Sequence, residues 1–242
     1  GDSLSGVDSD RRSGPHYSLS EGILTVKDMK RLIAVVAVVC ALSGLLMLKT
    51  SFGTLFALEP LCLIILGAAA MGGAVKYTLG RNPYGYRGLG DISVFTFFGI
   101  VSVLGAYFVA AHTIPSLLML LPAVAMGCFS VGVLNVNNMR DVKSDAGIRM
   151  TTPMRIGVKG AKIYHTALIV TGWICLTIFN LCRFPDPWHW LFFITLPLFA
   201  IHLRGVWTRS DKDLDPMLPI LVISTFILSM LMGFGYLAFL IF

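Results

Sequence analysis

The stretch IPSLLMLLPAVAMGCFSVGVLNVNNMRDVKSD, residues 114–145, joins a long apolar run to a dense cluster of amides, carboxylates and cations. Its apolar part, residues 114–134, has the length of about 20 residues that a helix needs to cross roughly 30 Å of hydrocarbon. Backbone groups in lipid must be satisfied within the segment or within a closed barrel, and the run lacks the alternation of a barrel strand. The stretch therefore predicts a transmembrane helix with a polar site at its end.

The composition of the whole chain agrees with a membrane protein. Its 242 residues are 56% hydrophobic and 13% charged, with a mean hydropathy of +0.79, whereas soluble domains average about 45–50% apolar and about 25% charged. We therefore predict an all-α fold, a multi-pass transmembrane helical bundle. The seven predicted spans are residues 32–48, 55–75, 92–111, 114–134, 163–182, 188–203 and 217–242.

Charged residues are divided unequally between the two sides of this predicted bundle. One side receives residues 1–31, 76–91, 135–162 and 204–216. All of the 19 basic residues except Lys49 and Arg183 lie there, and so do all acidic residues except Glu59 and Asp186. Because loops rich in Lys and Arg stay in the cytoplasm, this side is predicted to be cytoplasmic. The polar apparatus of the protein is therefore expected at the cytoplasmic surface.

The same composition argues against several functional classes. The five cysteines form no C-x-x-C pair and lie in or beside apolar runs, which favours buried small side chains over a redox or metal role. The net charge of +6 does not indicate a nucleic-acid partner, because the basic residues flank membrane segments. Lipid headgroups and membrane topology account for those residues better.

The polar end of the opening stretch has the residue types of a magnesium site. Asn137, Asp141 and Asp145 recur every four residues and share one face if the helix continues past the bilayer, with Asn138 beside them. Carboxylates at this spacing repel each other, and Mg²⁺ would remove that repulsion while taking amide and phosphate oxygens as further ligands. The cations between them suit phosphate oxygens. The alternative is a solvated loop whose Asn and Asp residues only form caps and turns.

Two further polar segments belong to the same predicted side. GDSLSGVDSDRRSG, at the start of the chain, carries Asp2 and Asp8 among glycines and serines, which suits a second carboxylate cluster across the bundle. KYTLGRNPYGYRGLGD, residues 76–91, combines three cations and three tyrosines with a terminal acid. Tyrosines are usual at the membrane interface, but the glycines of this loop also suit a mobile lid over a polar headgroup.

These three segments resemble the motifs of one enzyme family. NNMRDVKSDAG resembles the second aspartate-rich motif, N-x-x-R-D-x-x-x-D, of the UbiA superfamily of intramembrane prenyltransferases, and GDSLSGVDSD is similar to the end of the first motif, N-D-x-x-D. YTLGRNPYGYRGLGD resembles the corresponding loop of the branch that prenylates 1,4-dihydroxy-2-naphthoate in menaquinone biosynthesis. The similarity extends from Gly1 to about Pro216.

The resemblance implies a single UbiA-type prenyltransferase domain over residues 1–242. Two more helices are expected before it in the full protein, which gives nine spans. Asp2 would be the second acid of the first motif, whose Asn and first Asp would precede Gly1. Gly6 stands where the superfamily often has another Asp, and Asp8 is the substitute that we expect.

The activity that the resemblance implies is transfer of a polyprenyl chain from its diphosphate to 1,4-dihydroxy-2-naphthoate, with loss of CO₂ and diphosphate, to give demethylmenaquinone. Mg²⁺ is the implied cofactor, and polyprenyl diphosphate, the naphthoate and membrane lipid are the implied partners, at the cytoplasmic side of a bacterial inner membrane. The expected metal ligands are Asp2, Asp8, Asn137, Asn138, Asp141 and Asp145. The expected diphosphate ligands are Arg140, Lys143, Arg149, Tyr84 and Tyr86. The expected catalytic residues are Asp91, Lys76 and Arg87.

Two alternatives stay open from the sequence. A different acceptor, such as 4-hydroxybenzoate, homogentisate or the haem ring, would also suit a UbiA-type enzyme, although the YGYRGLGD loop favours naphthoate. A secondary transporter would place ionisable residues in the middle of the membrane, whereas the charges of this chain gather at one face. His165, which closely follows the second motif, is interpreted as a solvated or capping residue.

Overall fold

The computed structural model of the chain describes residues 23–80, 82–183 and 186–241. Its helices, in chain order, are α1 (Val26–Phe52), α2 (Leu58–Thr78), α3 (Gly90–Ala111), α4 (Leu117–Arg140), the short α5 (Val142–Asp145), α6 (Thr152–Cys182), α7 (Pro187–Thr208) and α8 (Met217–Ile241). One 3₁₀ turn, Tyr84–Tyr86, precedes α3, and another, Asp211–Leu214, precedes α8.

Seven of these helices, all except α5, are long and apolar enough to cross a membrane. The predicted all-α bundle with seven spans is therefore confirmed, and the protein is a multi-pass membrane protein. Among the residues that the structure describes, β-type pairing is limited to a single bridge between Arg87 and Met150.

Two helices begin well before the apolar runs that predicted them, because polar turns precede those runs within the same helices. At the start of α1, the Thr25 hydroxyl accepts from the Asp28 N–H at 3.2 Å, and the Asp28 carboxylate accepts from the Thr25 N–H at 3.3 Å. This reciprocal capping box starts a helix before any apolar periodicity. Helix α6 begins at Thr152, and its regular course is interrupted at Gly157, where φ is +73°.

Helix α4 lies at the centre of the bundle and packs against α3, α6 and α8. In its middle, the fully buried Phe129 lies 5.2 Å from Phe199 of α7, measured between ring centroids. Trp173 of α6 stacks on Phe192 at 5.5 Å in the same cluster. Hydrocarbon provides no hydrophobic driving force for helix association. Helices in lipid are therefore held together by close packing of this kind.

Helices α3 and α4 touch backbone to backbone. A Cβ at Gly99 would lie 2.6 Å from the Gly127 Cα and 2.7 Å from the Ala123 carbonyl oxygen. At this contact α3 is π-helical, over Phe95–Val101, and such turns often occur near functional sites. The contact fixes the position of α3, whose first turn carries Asp91, relative to α4.

The polar connections predicted to share one side of the bundle do contact each other. The Met150 N–H donates to the Tyr86 carbonyl at 2.9 Å, which joins the loop before α3 to the segment before α6. The Lys162 ammonium donates to the Arg209 carbonyl at 2.7 Å, which joins α6 to the end of α7. One polar surface is thus assembled at this end of the bundle.

Candidate active site

The second aspartate-rich segment continues the course of α4 into α5, as its spacing predicts. The Asp141 N–H donates to the Asn137 carbonyl at 3.1 Å, and the Asp145 N–H donates to the Asp141 carbonyl at 2.9 Å. The four-residue row is therefore formed, although Asp141 itself has φ −94° and ψ 7° and separates the two helices. Both carboxylates are almost fully buried, with 2% and 1% of their residues exposed. Buried charges of this kind require partners.

Arg140 is the partner of the first carboxylate. Its Nε and Nη2 atoms donate to the two oxygens of Asp141, each at 2.8 Å. Its Nη1 donates to Asp215 at 2.6 Å, and Nη2 also donates to the Asn137 amide oxygen at 2.8 Å. Only 3% of the Arg140 side chain is exposed. A residue predicted to bind diphosphate is here covered by acceptors of the protein itself.

The other two cations predicted to bind diphosphate also have acidic partners. The Arg149 Nε lies 2.7 Å from the Asp145 carboxylate, and both side chains are mostly buried. The Lys143 Nζ lies 2.9 Å from Asp211, but 76% of the lysine side chain is exposed. Exposed ion pairs contribute about 0–1 kcal/mol. Lys143 can therefore exchange its partner for a substrate anion at little cost.

A small polar cleft joins this segment to the loop before α3. Its volume is about 10 Å³, which is roughly the space of one water. Three predicted site residues line it, namely Asp91, Asn138 and Arg149. The other lining residues are Tyr77, Gly85, Gly88, Gly90, Met150, Thr151 and Thr152. The structure thus brings together two segments that lie far apart in the sequence.

Two residues that the sequence did not predict lie at Asp91. The Thr152 hydroxyl donates to its carboxylate at 2.7 Å, and the Tyr164 hydroxyl lies near the same group. Both residues belong to α6, and the Thr152 hydrogen bond holds the carboxylate against the start of that helix. In the sequence, Thr152 is the second threonine of a Thr-Thr-Pro run, which signals only a helix start.

The loop before α3 is attached to the segment that begins α6. Besides the Tyr86–Met150 hydrogen bond, the Arg155 guanidinium donates to the Arg87 carbonyl at 2.6 Å. Gly88 has φ +78°, and a Cβ there would lie 2.6 Å from the Arg155 guanidinium. The positive φ favours glycine at this position, whereas the Arg155 side chain could move away from an added Cβ. The loop is thus docked over the cleft in this structure.

Four predicted residues of the loop region lie outside the lining of the cleft. The side chains of Lys76 and Arg87 are exposed, and Tyr86 is half-buried. The Tyr84 hydroxyl donates to the Gly73 carbonyl at 2.8 Å, which holds the tyrosine against α2. The roles assigned to these four residues stay predictions.

An apolar groove of about 660 Å³ adjoins the polar cleft. It lies between α2 and the first turns of α3, and Tyr77 lines both the groove and the cleft. A second opening of about 370 Å³ shares Tyr84, Ser93 and Phe97 with the groove. The polar site thus continues into a space that accepts hydrocarbon.

His165 is not at the surface, and its interpretation as a solvated or capping residue is wrong. It is fully buried, and its Nε2 lies 2.8 Å from the Nε2 of His202 on α7. Ala161, His165 and Ile169 are all buried and recur every four residues on the face of α6 that enters the core. That spacing was the signal in the sequence that pointed to burial.

The described part of the predicted metal set has the right chemistry but is not a complete ion site. Asn137, Asn138, Asp141 and Asp145 offer amide and carboxylate oxygens, the donors that Mg²⁺ prefers. No group of three His, Cys, Asp or Glu side chains converges on one point in residues 23–80, 82–183 and 186–241. Asp2 and Asp8, the other predicted ligands, lie outside the described residues. The metal assignment stays a prediction that the donor types fit.

Comparison with known proteins identifies related chains. The UbiA prenyltransferase family matches residues 5–217. A 1,4-dihydroxy-2-naphthoate octaprenyltransferase from Escherichia coli (strain K12) is 39% identical over 221 residues, which is 90% of this chain and 70% of the relative. Enzymes of the same name are 32% identical over 239 residues in Haemophilus influenzae (98% of this chain, 77% of the relative) and 30% identical over 220 residues in Mycobacterium leprae (90% and 70%). No solved structure matches the chain.

These matches confirm the resemblance that the three motifs indicated. The family match includes the loop before α3, the second aspartate-rich segment and every described helix up to the start of α8. The chain belongs to the UbiA prenyltransferase family.

Proposed function

We propose that this protein transfers a polyprenyl chain from polyprenyl diphosphate to 1,4-dihydroxy-2-naphthoate. Relatives that match 90% or more of the chain carry this acceptor in their names. The observation that carries the proposal is the junction at Tyr77, where a polar cleft meets an apolar groove. A substrate with a charged head and a long hydrocarbon tail needs a polar and an apolar space side by side. Because the cleft holds only about one water while the loop before α3 is docked over it, the proposal requires this loop to move when the head enters.

The reaction needs no external oxidant or reductant. The allylic C–O bond to the diphosphate breaks, and a C–C bond forms at the ring carbon that bears the carboxylate. The carboxylate then leaves as CO₂, and its electron pair restores the aromatic ring. The products are diphosphate, CO₂ and demethylmenaquinone in its dihydroxy form. Because the developing allylic cation reacts with water, the site must exclude it.

On the diphosphate side, the best-placed cations are Arg149 and Lys143. Arg149 lines the cleft beside Asn138, and Lys143 stands at the surface with only an exposed partner. A guanidinium binds two phosphate oxygens at once, whereas an ammonium acts as a point charge. Arg149 would therefore set the orientation of the diphosphate in the cleft, and the exposed Lys143 would attract the diphosphate electrostatically from the surface.

On the acceptor side, the proposal centres on Asp91. Its carboxylate is oriented by the Thr152 hydroxyl, so it can accept a hydrogen bond from a naphthoate hydroxyl without reorganising. Holding a reactant in this way reduces the entropic part of the barrier. Arg87 and Lys76 are exposed near this loop and suit the carboxylate of the incoming naphthoate.

The oxygen donors at the end of α4 and in α5 would hold Mg²⁺. Asp141, Asp145, Asn137 and Asn138 are the described residues of this set, and Asp2 and Asp8 complete it in the proposal. When bound, Mg²⁺ would neutralise part of the diphosphate charge and so make diphosphate a better leaving group. Asp141 and Asp145 are both buried, where water screens the attraction between a carboxylate and a cation less than it does at the surface.

The groove suggests how the tail is held. Phe97, Phe98 and Val101 give it apolar walls within α3, and each buried CH₂ contributes about 0.8 kcal/mol. We place the polar site at the cytoplasmic face of a bacterial inner membrane, because the basic residues gather on that side. Family membership also favours the transferase over a secondary transporter.

The acceptor is tested by supplying membranes that contain the protein with one polyprenyl diphosphate and a choice of acceptors. We expect prenylated product and released CO₂ from 1,4-dihydroxy-2-naphthoate. With 4-hydroxybenzoate or homogentisate we expect roughly 100-fold less product, since a site built for hydrogen-bonded groups discriminates strongly. A preference for 4-hydroxybenzoate would assign the protein to another acceptor class within the family.

The cofactor is tested by removing divalent cations. After treatment with EDTA we expect transfer to stop, because two buried carboxylates then face an unneutralised diphosphate. Added Mg²⁺ should restore the rate, while Ca²⁺ should restore less because it prefers a larger and more flexible shell of ligands. Undiminished transfer in EDTA would remove Mg²⁺ from the proposal and leave the prenyl transfer itself in place.

A further inference from the structure

We infer that Asp215 is a positioning residue for the aspartate-rich segment and that it acts on Asp141 through Arg140. Asp215 lies in the connection between α7 and α8, far along the chain from the motifs. The inference rests on the proposed role of Asp141 as a metal ligand. Asp215 would thus belong to the site although the connection between α7 and α8 contains none of the sequence motifs.

The geometry forms a short chain of charged hydrogen bonds. Asp215 accepts from the Arg140 Nη1 at 2.6 Å, and the opposite edge of the same guanidinium binds both oxygens of Asp141 at 2.8 Å. All three nitrogens of Arg140 are thus used. Since the guanidinium is planar and rigid, fixing one edge fixes the other. The orientation of the Asp141 carboxylate therefore depends on the position of Asp215.

Burial keeps the Arg140 guanidinium from direct contact with a diphosphate. Its side chain is 3% exposed, like that of Asp141, whereas that of Asp215 is 40% exposed. A substrate anion would have to displace two carboxylates and the Asn137 amide from a covered guanidinium. An orienting role fits better, because carboxylates that bind metals are themselves commonly held by hydrogen bonds.

The connection that carries Asp215 is itself anchored to α4. Leu214, its neighbour, is 1% exposed and packs in a cluster with Val136 and Met139 of α4. The Asp215 N–H donates to the Lys212 carbonyl at 3.0 Å, and its own carbonyl accepts from Leu218 at 3.2 Å. The backbone at Asp215 is therefore held in place next to the helix that it serves.

The charge of Asp215 also matters. Arg140 carries one positive charge, and the two carboxylates around it leave this group with one net negative charge. Without the Asp215 carboxylate, the net charge near Asp141 becomes zero, and Arg140 competes more strongly for the Asp141 oxygens. Both changes lower the affinity of Asp141 for a divalent cation.

The test compares binding of Mn²⁺, as a probe for Mg²⁺, to the full chain in lipid nanodiscs by electron paramagnetic resonance. For Asp215→Asn we expect the dissociation constant for Mn²⁺ to rise by roughly 10–100-fold, the usual effect of an outer-shell partner. Asn keeps the shape of Asp, so the fold is retained, but its neutral amide oxygen holds the Arg140 guanidinium by a weaker hydrogen bond than the carboxylate does. Asp213→Asn is the matched control, because Asp213 is exposed on the same connection and the variant loses the same charge.

A second comparison isolates the route through Arg140. Arg140→Lys cannot bind Asp141 and Asp215 together, so Asp215→Asn should add little to the loss of Mn²⁺ affinity in that background. Additive losses would overturn the inference. If Asp215→Asn does not yield folded protein, Asp215→Ser takes its place. That variant has neither the charge nor the reach of Asp215 and should lose Mn²⁺ affinity in the same way, and wild-type affinity in it would overturn the inference.

The outcomes separate this inference from the proposed function. Normal Mn²⁺ affinity in folded Asp215→Asn, with Mg²⁺-dependent transfer in the wild type, would refute the positioning role and leave the function intact. An equal loss of Mn²⁺ affinity in Asp213→Asn would refute it too, because the lower negative charge of the connection would then explain the effect without any contact to Arg140. A wild-type protein that binds no Mn²⁺ and transfers prenyl groups in EDTA would overturn the metal site and this inference together.

Discussion

Replacing Asp141 or Asp145 by Asn is expected to reduce prenyl transfer by more than about 100-fold, beyond the 10–100-fold typical of outer-shell partners. Each variant removes one of two buried carboxylates that we assign to the metal. The remaining oxygen donors are too few and too weakly charged to hold Mg²⁺ against the surrounding arginines. Product formation from 1,4-dihydroxy-2-naphthoate, measured across a range of Mg²⁺ concentrations, checks this expectation.

Asn is preferable to Ala at these positions for a structural reason. Asp141 balances the buried Arg140, and removal of one partner of a buried ion pair costs about 3–5 kcal/mol. Asn also removes the charge of Asp141, but its amide oxygen can still accept a hydrogen bond from Arg140, whereas Ala leaves the guanidinium without that acceptor and would lose more stability. Asp213→Asn serves as the control for the change of charge. Wild-type turnover from Asp141→Asn would contradict the metal assignment.

Replacing Gly99 by Val is expected to separate α3 from α4 and to reduce both stability and transfer. The added Cβ meets backbone atoms, Gly127 Cα and Ala123 O, which cannot rotate away. Overpacking of this kind costs about 1–3 kcal/mol or more. Because the first turn of α3 carries Asp91, the shift also moves this carboxylate from Thr152. A displacement of about 1 Å at a reacting group can cost about 100-fold in rate.

Gly105→Val is the matched control for this variant. It lies on the same helix, but a Cβ there meets nothing within 4 Å, so the same substitution should be tolerated. Thermal unfolding in detergent and turnover in membranes should both remain near wild type for Gly105→Val. If Gly99→Val behaves like Gly105→Val in both measurements, the backbone contact does not control the position of Asp91.

The bundle could be predicted from the sequence because the membrane simplifies the problem. Apolar length, helical periodicity and the side of the basic residues are local properties, and they identified seven spans. The first turns of α1 and α6 were missed because capping residues such as Thr25 lie outside the apolar runs. A helix extends as far as its backbone hydrogen bonds are satisfied, which hydropathy alone does not report.

The site was only partly predictable for a related reason. The row of Asn137, Asp141 and Asp145 follows from a four-residue repeat within one segment, and the backbone forms it. The partners of these side chains come from elsewhere. Asp215 reaches Arg140 from a distant connection, and Tyr164 reaches Asp91 from α6. Such contacts depend on how helices are arranged in three dimensions, and neither spacing nor composition encodes that arrangement locally.

The pair formed by His165 and His202 imposes an asymmetry on the two rings. A hydrogen bond between two Nε2 atoms at 2.8 Å requires one nitrogen to carry a proton and the other to present a lone pair. One imidazole is therefore the Nε2–H tautomer and the other the Nδ1–H tautomer, although the two residues are chemically identical. The bond that joins α6 to α7 consequently has a direction, and a further proton on the accepting ring would abolish it.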